Sequence, residues 1–276
     1  MIENEVPGYE ELLLHSNQDH CPVIGITGPP GAGKSTLVDA LIDLLVKQNK
    51  KLAILCVDPS SPFNLGALLG DRIRMSEWYN HPNVFIRSLA TRGSLGVLHP
   101  KIIEITDLLT HSSFDYVLVE TVGVGQSEIE IAGLADTTIV VMVPEAGDEV
   151  QTMKAGLMEI ANVFVVNKSD RPEADAFVRN LKSMLAPAFS QQQEEIPIIK
   201  TVASSKQGID ELWAAIEKNL SLHSIPQRKA WLLAERAFQL IQAKRMKDID
   251  KKKIKEQIES LLLTNSFNLY SFIQNL

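Results

Sequence analysis

The chain has 276 residues, 45% of them hydrophobic, enough to bury a sizeable core in one large domain or in a domain with an appendage. Its 27 Lys and Arg stand against 34 Asp and Glu, a net charge of −7, which leaves no basic footprint for nucleic acid. No apolar run reaches the roughly 18 residues that a membrane-spanning helix needs, so no membrane partner is expected either.

The opening stretch MIENEVPGYE is acidic, unlike a secretory or transit signal, and a cytoplasmic location is expected. Within the N-terminal segment 1–21, YEELLLHSN (9–17) has the pattern of a short helix. Seven short β-rich apolar runs then alternate with longer segments of helical pattern: PVIGIT (22–27), KLAILCVD (51–58), VFIRSL (84–89), YVLVET (116–121), TTIVVMV (137–143), NVFVVN (162–167) and IPIIKTV (196–202). Continuous Val, Ile and Leu, rather than alternation, suits strands covered by helices on both faces. The expected fold is therefore α/β with a mainly parallel sheet, over a domain spanning 22–222. After the last run, Gly208 introduces a helix whose face carries Ile209, Leu212, Trp213 and Ile216. The remaining segment, 223–276, reads as charged helices that need the main domain or a second subunit to bury an apolar face. Its Lys251, Lys252 and Lys253 read as a solvated helix face.

Between the first run and the first long helical segment lies GPPGAGKS (28–35), which fits G-x-x-x-x-G-K-[ST] in the strand-to-helix setting that this motif requires. Glycines let backbone N–H groups turn toward phosphate oxygens, and a helix N-terminus adds partial positive charge. The nucleotide-binding stretch is thus Gly28, Pro29, Pro30, Gly31, Ala32, Gly33, Lys34, Ser35 and Thr36. Lys34 is expected to reach the β- and γ-phosphates, and Ser35 to ligate Mg²⁺.

Asn167, Lys168, Ser169 and Asp170 end a later apolar run. Guanine presents N1–H and N2–H₂ donors along one edge, which a carboxylate accepts; adenine presents an acceptor at N1 and no donor at C2. Asp170 is expected to select guanine, Asn167 to tie its loop to the phosphate loop, and the Lys168 stem to pack over the base. Ala203, Ser204, Ser205 and Lys206 follow the last run and are expected to supply a backbone contact to the guanine O6. Glu120, ahead of Gly123, ends another run and faces the Mg²⁺ side of the site. The two cysteines, Cys21 and Cys56, and the six scattered histidines have no metal-ligand spacing.

Five further stretches narrow the class: DPSSP (58–62), GALLGDRIRM (66–75), IRSLATRG (86–93), VETVGVGQSE (119–128) and GDEVQ (147–151). Together with the phosphate loop they resemble the MeaB/ArgK family of P-loop GTPases, closely over residues 20–215. The resemblance implies GTP hydrolysis in aid of an adenosylcobalamin-dependent acyl-CoA mutase: gating of cofactor loading, and protection or reactivation of the mutase. It also implies a homodimer held largely by the C-terminal helices. Asp58, Asp71 and Glu120 would surround Mg²⁺ with Ser35, directly or through water. Segments near 58–75, 120–132 and 143–154 would be switches, the third facing the mutase.

In Ras-like enzymes a Gln follows the glycine of the D-x-x-G motif, whereas here Val124 follows Gly123 and Gln126 stands further on. Slow intrinsic hydrolysis is expected, with the partner completing the site through Gln126 and through Lys154 or an Arg of the 72–92 region. Two other readings stay open: an ATP-dependent kinase or transport ATPase, as the ArgK branch has been described, and a nickel-insertion GTPase.

Overall fold

Strands without a polar side need cover on both faces, and the computed structural model supplies it. It describes residues 1–4, 6–14, 20–58, 75–90, 99, 101–121, 127–144, 160–189, 196–222, 227–246, 249–263 and 267–274. All seven expected strands form: β1 (Val23–Thr27), β2 (Leu52–Asp58), β3 (Val84–Ala90), β4 (Tyr116–Glu120), β5 (Thr137–Met142), β6 (Val163–Val166) and β7 (Ile198–Lys200). They make one sheet in the order β3-β2-β4-β1-β5-β6-β7, with every pairing parallel. The inner strands β1, β5 and β6 are buried along their whole length, while the edge strands are not: Phe85 and Arg87 on β3 are exposed.

The described helices are α1 (Tyr9–Leu14), α2 (Lys34–Lys47), α3 (Ile102–Thr110), α4 (Ser127–Leu134), α5 (Ala174–Phe189), α6 (Ile209–Ser221), α7 (Gln227–Arg245), α8 (Lys251–Leu263) and α9 (Leu269–Gln274). Because a strand's side chains alternate in direction, β5 and β6 divide their residues between two layers. Ile139, Val141, Val163 and Val165 join Leu37, Leu41 and Leu45 of α2 with Leu212, Trp213 and Ile216 of α6. Val140, Met142, Phe164 and Val166 face the other way and meet Phe177, Leu181 and Leu185 of α5. Helices thus close both faces of the sheet, as the unbroken apolar runs require.

The chain divides into two compact units, Met1–Ala230 and Trp231–Leu276. The first includes α1, where the Tyr9 hydroxyl accepts a hydrogen bond from Lys101 Nζ at 3.0 Å. In the second, Trp231, Phe238, Leu263 and Tyr270 are exposed. No helix among the described residues is long and apolar enough to cross a membrane.

One close approach fixes the helix that follows the end of β4. A Cβ placed on Gly25 of β1 would lie 2.8 Å from Ile131 Cγ1 and 2.9 Å from Ala135 Cβ, so α4 rests on the strand where there is no side chain. Replacing Gly25 by Val is expected to destabilise the fold by about 1–3 kcal/mol through overpacking. The check is the midpoint of urea unfolding; an unchanged midpoint would show that α4 yields freely.

Candidate functional site

In a parallel sheet every strand delivers its carboxyl end to the same rim, and ligands bind where the strand order changes direction. Here the chain runs from β1 to β2 on one side, and from β5 to β6 and β7 on the other. The loop at 28–33 leaves β1 at that point. Gly33 caps α2 in the left-handed region, at φ 88°, and a Cβ there would collide with Asn167 Nδ2. The glycine is needed both for the turn and for the approach of the neighbouring loop.

Lys34 and Ser35 open α2 and are both buried. Lys34 Nζ donates to Gly28 O at 2.9 Å and Pro29 O at 3.0 Å, so the ammonium folds back over its own loop. Ser35 Oγ donates to Glu120 Oε1 at 2.6 Å. Register explains that contact: Glu120 is level with Ile26 on β1 and Cys56 on β2, just short of Gly28. Thr121 Oγ1 adds a second bridge between the strand ends, donating to Thr27 Oγ1 at 2.9 Å.

Asn167 is the junction of the site. Its Nδ2 donates to Ala32 O at 2.9 Å, and its Oδ1 accepts from Thr201 Oγ1 and from Ala203 N, each at 3.1 Å. Lys168 follows with φ 55°, a turn rarely taken by a residue with a side chain, and its Nζ reaches Gly31 O at 2.8 Å. The lysine stem therefore spans from the Asp170 loop to the phosphate loop. Beside it opens a cleft of about 250 Å³, with Thr36, Lys168, Asp170, Arg171, Ala203 and Ser204 in its walls.

Gly33, Thr36, Asn167, Lys168, Asp170 and Ser204 thus come together. Ser205 turns its hydroxyl to Val202 O at 3.2 Å, and Lys206 Nζ pairs with Asp43 Oδ2 of α2 at 2.9 Å, so neither lines the cleft. Burial works to raise the Asp43 carboxyl, but hydrogen bonds from Lys47 and Lys206 outweigh it and hold the group below the usual carboxylate range. Asp58 ends β2 opposite Ala90 of β3. Asp71, Gln126 and Lys154 lie outside the described residues, as do Arg72, Arg74 and Arg92. Arg87 pairs with Glu3 in the N-terminal segment. Sequence reasoning missed Thr201 and Arg171. The only signal for either was position: a hydroxyl directly after the last strand, and a cation directly after Asp170.

For a metal, Ser35 Oγ and the Glu120 carboxylate supply hard oxygen donors at the foot of the loop. That set fits Mg²⁺, which takes one or two protein oxygens and fills its remaining positions with phosphate and water. No group of three or more His, Cys, Asp or Glu side chains converges as a metal site among the described residues. Cys21 and Cys56 are buried and outside any disulfide, and burial pushes the Cys21 thiol up to about 11.

Residues 2–259 match the family model described as methylmalonyl Co-A mutase-associated GTPase MeaB. A Pyrococcus abyssi protein named as a GTPase is 41% identical over 267 residues, covering 95% of this chain and 77% of that one. The GTPase ArgK of Escherichia coli is 33% identical over 275 residues, covering 96% of this chain and 80% of its own. The solved structure of a LAO/AO transport system kinase superposes with a TM-score of 0.63 at 25% identity, covering 96% of this chain and 83% of that one.

Since the thiolate is the reactive form, Cys21 is expected to resist alkylation at pH 8 in the folded protein and to react once the chain is unfolded in guanidinium. Mass spectrometry of iodoacetamide-treated protein tests this, and rapid labelling of Cys21 without denaturant would contradict it.

Proposed function

We propose, from the premise that the chain belongs to the family of methylmalonyl Co-A mutase-associated GTPases MeaB, that its GTP hydrolysis is a signal to an adenosylcobalamin-dependent acyl-CoA mutase. Methylmalonyl-CoA mutase is the first candidate. In this reading the GTPase gates loading of the cofactor and protects or reactivates the mutase. The observation that carries the reading is the family match across residues 2–259, since that family is described by its association with the mutase. Being a GTPase, the chain binds guanine nucleotide. Released into water, GDP and phosphate do no work on a substrate, so the free energy of hydrolysis is available only as a change of shape.

Each residue of the site then has a task. Lys34 leaves the carbonyls of Gly28 and Pro29 and turns to the β- and γ-phosphates. Asp170 accepts the two donors of the guanine edge while the Lys168 stem covers the base and Ser204 closes the cleft. Ser35 and Glu120 hold Mg²⁺, with Asp58 and Asp71 as ligands directly or through water. Held by these residues, Mg²⁺ would supply neutralisation of the charge that develops on the transferred phosphoryl group. Glu120 also links the phosphate loop to the segment that follows β4, so the state of the nucleotide is felt at both. Gln126 and Lys154 complete the catalytic set when the partner docks, which keeps intrinsic hydrolysis slow. The exposed Trp231, Phe238 and Tyr270 of the second unit are apolar surface that a second copy of the chain would cover in a homodimer.

Single-turnover GTP hydrolysis is expected to accelerate by about tenfold or more when saturating mutase is added, the scale on which a partner that completes a GTPase site acts. A rate indifferent to the mutase would remove the proposed listener. Asp170→Asn should weaken GTP binding by about 10- to 100-fold and favour xanthosine triphosphate, because an amide can donate to O2 of xanthine and accept from its N1–H. Competition binding checks this, and ATP displacing labelled GTP from the native protein at equal concentration would support the ATPase reading instead.

A further inference from the structure

We propose that Thr27 and Thr121 are positioning residues for Mg²⁺, a hydroxyl pair that keeps Ser35 and Glu120 at a fixed spacing. The inference rests on the reading of Ser35 and Glu120 as the metal's ligands, and not on which partner is served. Thr27 is the last residue of β1, directly before the loop at 28–33, and Thr121 directly follows Glu120, the last residue of β4. They are 0% and 1% exposed, so each hydroxyl must find its partner inside the protein. Thr121 Oγ1 donates to Thr27 Oγ1 at 2.9 Å. Ser35, beyond the other end of the same loop, donates to Glu120 Oε1 at 2.6 Å. Glu120 and Thr121, consecutive in the chain, thus grip the two feet of the loop, and hydrogen bonds and main chain close a ring.

Within that ring the two bridges have different duties. Ser35 and Glu120 supply the oxygens offered to a metal, so their hydrogen bond would give way when the metal is held, whereas the threonine bridge stays. Side chains alternate along a strand, so the threonine pair and the level pair of Ile26 and Glu120 lie on opposite faces of the sheet. The foot at Thr27 is also held from the far side, because a Cβ on Gly28 would collide with Val141 O of β5. Main chain joins Thr121 N–H to Ile26 O at 3.0 Å, one residue short of Thr27, and the hydroxyl bridge carries the connection to Thr27 itself. Losing the bridge would let Glu120 shift against Ser35, a poor footing for an ion that demands near-ideal octahedral geometry. Threonines that merely filled the strand ends would affect stability and leave the metal alone.

Thr121→Val keeps the volume and removes the donor. The Mg²⁺ concentration that half-maximally slows labelled-GDP release is expected to rise by about tenfold, while release in EDTA stays within about twofold, because loss of a group that orients a metal ligand weakens metal binding on that scale. Thr121→Ser, which keeps the hydroxyl, should restore the Mg²⁺ response. Thr27→Val combined with Thr121→Val separates position from packing: with no hydroxyl left unpaired, the urea midpoint should return toward the wild-type value while the Mg²⁺ response stays weakened. The same double variant serves should the single valine variant fail to fold. An unchanged half-maximal Mg²⁺ concentration in Thr121→Val, a serine variant as weak as the valine one, or a Mg²⁺ response that returns with stability in the double variant would each overturn the proposal. Glu120→Gln is the control for the metal site. If it keeps the wild-type Mg²⁺ response, the ligand assignment has failed and the role of the threonines falls with it; if it loses that response while Thr121→Val keeps it, only the role of the threonines falls.

Discussion

The amide of Asn167 has donor and acceptor ends and almost no access to water at 3% exposure, so the protein has to satisfy both. It does so with groups from two other segments, Ala32 in the phosphate loop and Thr201 with Ala203 after β7. These segments are remote in sequence and approach only because β1, β5, β6 and β7 are consecutive in the sheet. An unsatisfied buried amide costs about 1–3 kcal/mol, and here the loss would fall on the shape of the loop rather than on the core beneath it. The loop at 28–33, the cleft beside Lys168 and the edge of the sheet are therefore tied together through one side chain.

A second theme is substitution. The groups expected to meet nucleotide already have partners: Lys34 holds the carbonyls of Gly28 and Pro29, Lys168 holds Gly31 O, and Ser35 donates a hydrogen bond to Glu120. Ligand binding at such a site exchanges one set of hydrogen bonds for another, so net affinity comes from differences between strong terms. The pre-existing contacts also keep two buried groups at the start of α2, an ammonium and a hydroxyl, from standing unsolvated.

How much of this could be read in the sequence varies with the scale of the feature. Seven apolar runs became seven strands because a strand buried on both faces leaves a contiguous signature, and Ile209, Leu212, Trp213 and Ile216 became a buried helix face because their spacing matches the turn of a helix. The phosphate loop was legible since its residues are adjacent, and Asn167 and Asp170 were legible as a short motif at a strand end. What a side chain turns toward was not. Lys206 follows the two serines in sequence, but its ammonium finds the Asp43 carboxylate of α2, a partner set by packing. Thr201 is one threonine among many until β6 and β7 bring it level with Asn167. The alternation of burial on β3 was equally silent, because an edge position is a property of the whole sheet and not of the run that occupies it.

The bare surface of Gly25 has a mechanical meaning as well. With Ile131 and Ala135 already seated on the strand, α4 cannot move inward; it can only slide along β1 or lift away from it. A glycine in the middle of a strand acts here as a stop, and it sets the depth at which the helix comes to rest on the sheet.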